Sequence, residues 1–177
     1  MLTMITIAGY PRSGTTFLTE LLKKSFPEKQ FNRTHAIDNT TNDIFVVSVI
    51  RDPKECIPSW MITFNDKKFN IDDNLNWYIS HLKALKNRKL PKVVLDFKEF
   101  IKSPEDAIVK CSNEFGLGQA EIVDLEELFL KINTDKTTKF LPNPSRQHSH
   151  LIKDVVNSKL YDEAIALYSE IIEVYTR

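Results

Sequence analysis

The sequence predicts a three-layer α/β fold with a central parallel sheet and a P-loop-type phosphate-binding loop after its first strand. Three observations carry this. Residues 44–50 (IFVVSVI) are apolar almost without a break, as a parallel strand covered on both faces requires. Segments of strand composition alternate with segments of helical periodicity, the pattern of a parallel sheet with helices on both sides. The first strand pattern runs into a loop that holds two of the chain's four glycines, and a helix follows at once. At 177 residues the chain is read as one domain, 1–177, long enough to bury a substantial core.

Each element has its own signal. Residues 4–8 (MITIA) are short, apolar and β-branched, which predicts a buried strand. Phe17, Leu18, Leu21 and Leu22 then mark one face of a helix. Residues 31–35 read as a short strand, and 38–43 as a polar loop. After the strand at 44–50 a helix is expected to start at Pro53, where a missing N–H costs nothing, and to run to about Phe64. Leu75, Ile79, Leu82 and Leu85 predict an amphipathic helix ending in the basic stretch 86–89, and residues 93–97 a further buried strand. Ser103-Pro104-Glu105-Asp106 reads as a helix start with a capping serine, for a helix that stops near Gly116. Ile122, Leu125, Leu128 and Ile132 predict one more helix. Residues 133–150 are polar, proline-containing and irregular. Leu160, Ala164, Leu167, Ile171 and Val174 predict the final helix.

Composition excludes several classes. Hydrophobic residues are 42% and charged residues 27%, as in an ordinary globular protein, so disorder and collagen-like repeats are ruled out. Lysine plus arginine and aspartate plus glutamate both number 24. A net charge of zero argues against a nucleic-acid binder, whose affinity rests on a basic surface. No apolar run reaches membrane-spanning length, and residues 1–9 lack the basic start of a signal peptide. Cys56 and Cys111 are too few for a disulfide scaffold and are expected to be buried free thiols, which suits a cytoplasmic protein. The triplets beginning at Asn32 and Asn39 match the glycosylation pattern but, without a secretory signal, are read as chance.

The chemistry concentrates at two places. Gly9-Tyr10-Pro11-Arg12-Ser13-Gly14-Thr15-Thr16 lies between a strand and a helix, with its glycines five apart. Such a turn aims the amides of residues 13–16 at one point, and the helix dipole adds partial positive charge, so an anion and most often a phosphate is expected there. The spacing fits the nucleotide-triphosphate loop except that Thr15 stands where that loop has lysine; a cation appears three residues earlier, as Arg12. The second place follows the strand at 44–50. Arg51 closes that strand, where ligand sites of open α/β sheets lie, and Ser59 follows eight residues later on a helix. They could hold another phosphate; alternatively Arg51 pairs with Asp52 or Glu55, and Ser59 is packed.

Together these stretches resemble a known family. Residues 9–18 resemble the 5′-phosphosulfate loop of sulfotransferases that use 3′-phosphoadenosine 5′-phosphosulfate (PAPS). Residues 46–60 (VVSVIRDPKECIPSW) resemble their 3′-phosphate motif, and Arg33-Thr34-His35 is similar to the Lys-Thr-His segment that carries the general base in cytosolic members. Residues 95–117 are similar to the family's strand, short acidic segment and helix ending in Phe-Gly-Leu. The resemblance implies a sulfotransferase that moves a sulfuryl group from PAPS to a hydroxyl or amine acceptor and releases 3′-phosphoadenosine 5′-phosphate (PAP), without a metal. It implies that Arg12, Ser13, Gly14, Thr15 and Thr16 wrap the 5′-phosphosulfate and that Arg51 and Ser59 hold the 3′-phosphate. Phe17 takes the position of an aromatic that stacks on adenine, with plain core packing as its competing reading. His35 is the implied general base, with Asp38 in reserve, and Arg12 stabilises the leaving phosphate. The acceptor — small molecule, carbohydrate or protein hydroxyl — is not identified by the sequence.

The chain also departs from the family. Arg12 stands where many cytosolic members have lysine, and Phe97 where many have tyrosine. The Arg-Lys-Gly segment that closes over the nucleotide in cytosolic members is absent; Lys136, Lys139 and Arg146 are candidates to replace it, with a solvated loop as the equal alternative. His148 and His150 make too short a cluster for a metal. Two other functions compete: a P-loop kinase with Asp52 as its magnesium acid, which lacks the loop lysine, and a non-catalytic nucleotide-binding module.

Overall fold

In a computed structural model, which describes residues 4–35, 45–64, 70–89, 91–134 and 149–175, four strands form one parallel sheet. They are β1 (Met4–Ala8), β2 (Gln30–Thr34), β3 (Phe45–Ile50) and β4 (Lys92–Asp96), in the order β2-β1-β3-β4. The chain leaves β1 for β2 on one side and returns to place β3 on the other. The crevice beyond the carboxyl ends of β1 and β3 is therefore a switch point, where open α/β sheets take their ligands.

Two apolar layers close on this sheet. Ile5, Ile7, Val47, Val49, Val93 and Leu95 point to one face. Helices α1 (Thr15–Ser25), α4 (Phe97–Lys102), α5 (Pro104–Phe115) and α6 (Leu125–Thr134) contribute to the cluster there. Ile50 and Val94 point to the other face, beneath α2 (Pro53–Phe64), α3 (Ile71–Asn87), α7 (Ser149–Asn157) and α8 (Tyr161–Tyr175). The alternation follows from the pleat, since successive strand residues face opposite sides. The expected three-layer α/β architecture is thus observed. Both cysteines are buried and free, and burial pushes both thiols well up, so they stay protonated and inert.

Several expectations need correction. Ser103 precedes α5, but its side chain makes no capping hydrogen bond; Pro104 and the acids Glu105 and Asp106 supply the start signal. Ile122 is fully exposed and lies before α6 rather than on it. Phe97 opens α4 instead of ending β4, because the Asp96 side chain accepts the Lys98 amide and caps a helix there. The polar stretch 133–150, irregular by its sequence, ends in the start of α7. Among the described residues, no helix is long and apolar enough to cross a membrane.

One buried histidine makes stability pH-dependent. His81 on α3 is only 4% exposed, and burial, with a smaller contribution from His35, pushes its imidazole down to about 4. The unfolded chain takes up this proton near the ordinary value of 6.5, the native state only near 4. Stability is therefore full above the higher value and lost as pH falls toward the lower. Between pH 7 and pH 5 the expected loss is about 2 kcal/mol. Urea unfolding at both pH values checks this, and the drop should shrink sharply in His81→Gln.

Candidate functional site

The loop after β1 is shaped by contacts at both glycines. A Cβ on Gly9 would lie 2.8 Å from the Val49 carbonyl oxygen and 2.7 Å from the Thr15 methyl. Gly14 has φ 93°, and a Cβ there would come within 2.9 Å of the Phe97 ring. Arg12 also sits at positive φ, 70°, a conformation that costs a non-glycine residue on the order of 1 kcal/mol and marks the loop as locally strained. The Ser13 amide closes the turn on the Tyr10 carbonyl at 3.2 Å.

Helix α1 then begins at Thr15 with no side-chain cap. Its first intrahelical bond runs from the Leu18 amide to the Gly14 carbonyl, so the first-turn amides have no helical acceptor and open toward an anion. The Ser13 hydroxyl is fully buried and has no hydrogen-bond partner among the described residues. A buried hydroxyl is costly until something pairs with it. Thr16 Oγ1 accepts from Arg33 Nη1 at 2.6 Å, which leaves its own O–H to donate. These features fit a bound phosphate or phosphosulfate.

Arg51 and Ser59 lie against this loop. Arg12 Nε donates to Ser59 Oγ at 3.0 Å, and Arg51 Nη1 donates to the Arg12 carbonyl at 3.2 Å. Arg12 thus joins both predicted anion positions, its side chain on one partner and its backbone on the other. Below, the Arg51 guanidinium stacks on Phe97, 4.3 Å from the ring centroid. Arg51 Nε donates to Glu55 at 3.1 Å, the ion pair that competed with phosphate binding in the sequence reading. Glu55 also takes Lys98 at 3.2 Å. Burial pushes the Glu55 carboxyl up, but hydrogen bonds and charges from Arg51 and Lys98 outweigh it and hold it below its ordinary value.

β2 delivers His35 to the same crevice. Ala8 is in register with Thr34, so the next residue comes level with Gly9. His35 Nδ1 lies 3.0 Å from the Gly9 carbonyl oxygen. A carbonyl only accepts, so Nδ1 carries the proton in this contact and neutral His35 presents a bare Nε2. Arg33, two residues earlier, reaches the start of α1.

Helix α3 braces both halves from behind. Tyr10 donates to Asn74 Oδ1 at 2.7 Å, and Tyr78 donates to the Arg51 carbonyl at 2.8 Å. Burial raises both phenols, which keeps them donors.

Other predicted residues are placed differently. Phe17, expected to stack on adenine, is 7% exposed; its ring stacks on Phe129 at 4.5 Å and packs on Phe100 at 5.3 Å. The competing core reading describes its surroundings. Asp52, the magnesium acid of the kinase alternative, has both carboxylate oxygens engaged, by the Lys54 amide at 3.0 Å and the Lys54 ammonium at 3.3 Å. It caps α2. Among the described residues, no group of three or more His, Cys, Asp or Glu could hold a metal ion. Asp38, Lys136, Lys139, Arg146 and His148 lie outside the described residues. Sequence reasoning gave no separate role to Arg33, Lys98, Asn74 or Tyr78. For Arg33 the available signal was its place two residues before His35.

No family model matches the chain, and no curated protein matches it by sequence. Among solved structures, the chain is similar to the crystal structure of mouse sulfotransferase SULT7A1 complexed with PAP. The TM-score is 0.55 and the identity 14%, over 100% of this chain and 86% of that one. At this identity the likeness shows the fold: α/β, with a parallel central sheet of sulfotransferase-like P-loop type.

Proposed function

We propose that the chain is a sulfotransferase that binds PAPS across the two anion positions and transfers its sulfuryl group to a hydroxyl or amine. One observation carries this reading: Arg12 ties the loop after β1 to Ser59 and Arg51 after β3, so two anion positions adjoin at the switch point. A single phosphate needs only the loop. A ligand phosphorylated at both ends of a nucleoside uses both. The sulfotransferase fold of the solved neighbour and the PAP in that crystal support the same choice.

In this reading Ser13, Gly14, Thr15 and Thr16 hold the 5′ end with Arg12, and Arg51 and Ser59 hold the 3′-phosphate. The donor supplies a sulfuryl group already activated on a phosphate oxygen. His35 Nε2 takes the acceptor's proton as the acceptor oxygen or nitrogen bonds to sulfur and the bond from sulfur to the phosphate oxygen breaks. Arg12 and Arg33 offset the charge that grows on the phosphate.

Calorimetric titration in EDTA tests the reading. Wild-type protein is expected to bind PAP without magnesium and far more tightly than adenosine 5′-phosphate. Arg51→Ala should weaken PAP by roughly 10–100-fold, the loss of a charge-assisted hydrogen-bonded contact, and leave adenosine 5′-phosphate nearly unchanged. Equal wild-type affinity for the two nucleotides would sink the assignment. Magnesium-dependent ATP binding would favour the kinase.

A further inference from the structure

We infer that Glu55 is the positioning residue for Arg51 and thereby sets the preference for a nucleotide with a 3′-phosphate, an inference that rests on the nucleotide reading above. An arginine side chain has many rotamers to give up when it is fixed. Here it is fixed from several directions. Glu55 Oε2 takes Nε at 3.1 Å, the Arg12 carbonyl takes Nη1 at 3.2 Å, and the Phe97 ring lies beneath the plane at 4.3 Å. Phe97 is in turn fitted against Gly14, where a Cβ would come within 2.9 Å of its ring.

A carboxylate beside a phosphate site would ordinarily oppose the ligand. Glu55 escapes this because Lys98 shares it, 3.2 Å from Oε1, so the trio of Arg51, Glu55 and Lys98 keeps one net positive charge. Glu55 also sits in the first turn of α2, where the helix dipole favours a negative group. The carboxylate therefore aims the guanidinium without cancelling the local field. With Nε and one Nη1 hydrogen engaged among the described residues, a five-donor fork keeps three N–H groups to offer a ligand.

The experiment compares wild type, Glu55→Gln and Glu55→Asp. It measures Kd for PAP and for adenosine 5′-phosphate and follows the Arg51 Nε–H resonance by NMR. Glu55→Gln keeps the shape and removes the ionic grip. It is expected to lower the preference for PAP over adenosine 5′-phosphate about tenfold, the scale of one charge-assisted hydrogen bond. Adenosine 5′-phosphate affinity should stay within about twofold, since the loop after β1 is untouched. The Nε–H signal, sharp in the wild type, should broaden or vanish, and Glu55→Asp should restore part of the preference and part of the signal. If Glu55 were only an opposing charge, Glu55→Gln would tighten PAP. An unchanged or increased preference for PAP overturns the inference while the nucleotide reading stands. A wild type without that preference removes both.

Discussion

Turnover in His35→Ala is expected to fall by about 10²–10⁴-fold, the usual contribution of a positioned general base, while PAP affinity stays within about twofold. The split follows from the contacts. Among the described residues, the hydrogen bond of His35 to the loop is the one from Nδ1 to the Gly9 carbonyl, at 3.0 Å. The residues proposed to grip phosphate are held by partners other than His35: Arg12 by Ser59, Arg51 by Glu55 and Arg12, Thr16 by Arg33. Removing the imidazole leaves that set in place and deletes the one bare ring nitrogen. His35→Gln is the sharper control, because its amide can reproduce a hydrogen bond to Gly9 but cannot accept a proton at neutral pH. Sulfuryl transfer to a panel of phenols, alcohols and amines, with PAP titration alongside, reads both quantities. Unchanged turnover removes His35 as the base; a loss that follows Asp38→Asn instead moves the role there.

How legible the site was depended on where its signals lay. β1, β3 and β4 carried β-branched, apolar runs because both their faces are covered, and the loop after β1 carried its own glycine spacing. β2 (QFNRT) lies at the sheet edge with polar and half-buried side chains, so periodicity placed it only approximately. Yet its parallel register with β1 is what brings Arg33 and His35 to the loop. α7 was hidden because it buries little beyond Val155, and α4 because one turn anchored by Phe100 leaves no period to read. Phe17 followed the apolar stripe of α1 and packs in the cluster that stripe predicts. Glu55 stood four residues after Arg51, in the first turn of the predicted helix, near enough along the chain to pair with it. What no spacing could show is that Arg12 reaches across to Ser59. That contact depends on a positive φ and on the path of two loops, neither of which leaves a pattern in the chain.

That dependence makes Gly14→Ala the substitution with the widest expected consequence. The new methyl meets two penalties at once: a backbone at φ 93° and a Phe97 ring 2.9–3.0 Å away. Together they should cost about 2 kcal/mol, read as a fall in Tm of roughly 4–8 °C. Phe97 is half-buried and is the atom group that must yield. Its ring also lies under the Arg51 guanidinium, so any retreat disturbs the second anion position from the first. PAP affinity should therefore fall by more than about tenfold, beyond what a distorted α1 start would do to adenosine 5′-phosphate. Gly118→Ala is the matched control. It too has a positive φ, 89°, but nothing lies within 4 Å of its Cβ position, so it should lower Tm and leave binding alone. Equal losses for both nucleotides in Gly14→Ala would mean the two anion positions are independent. A selective loss for the doubly phosphorylated one means a single ring couples them.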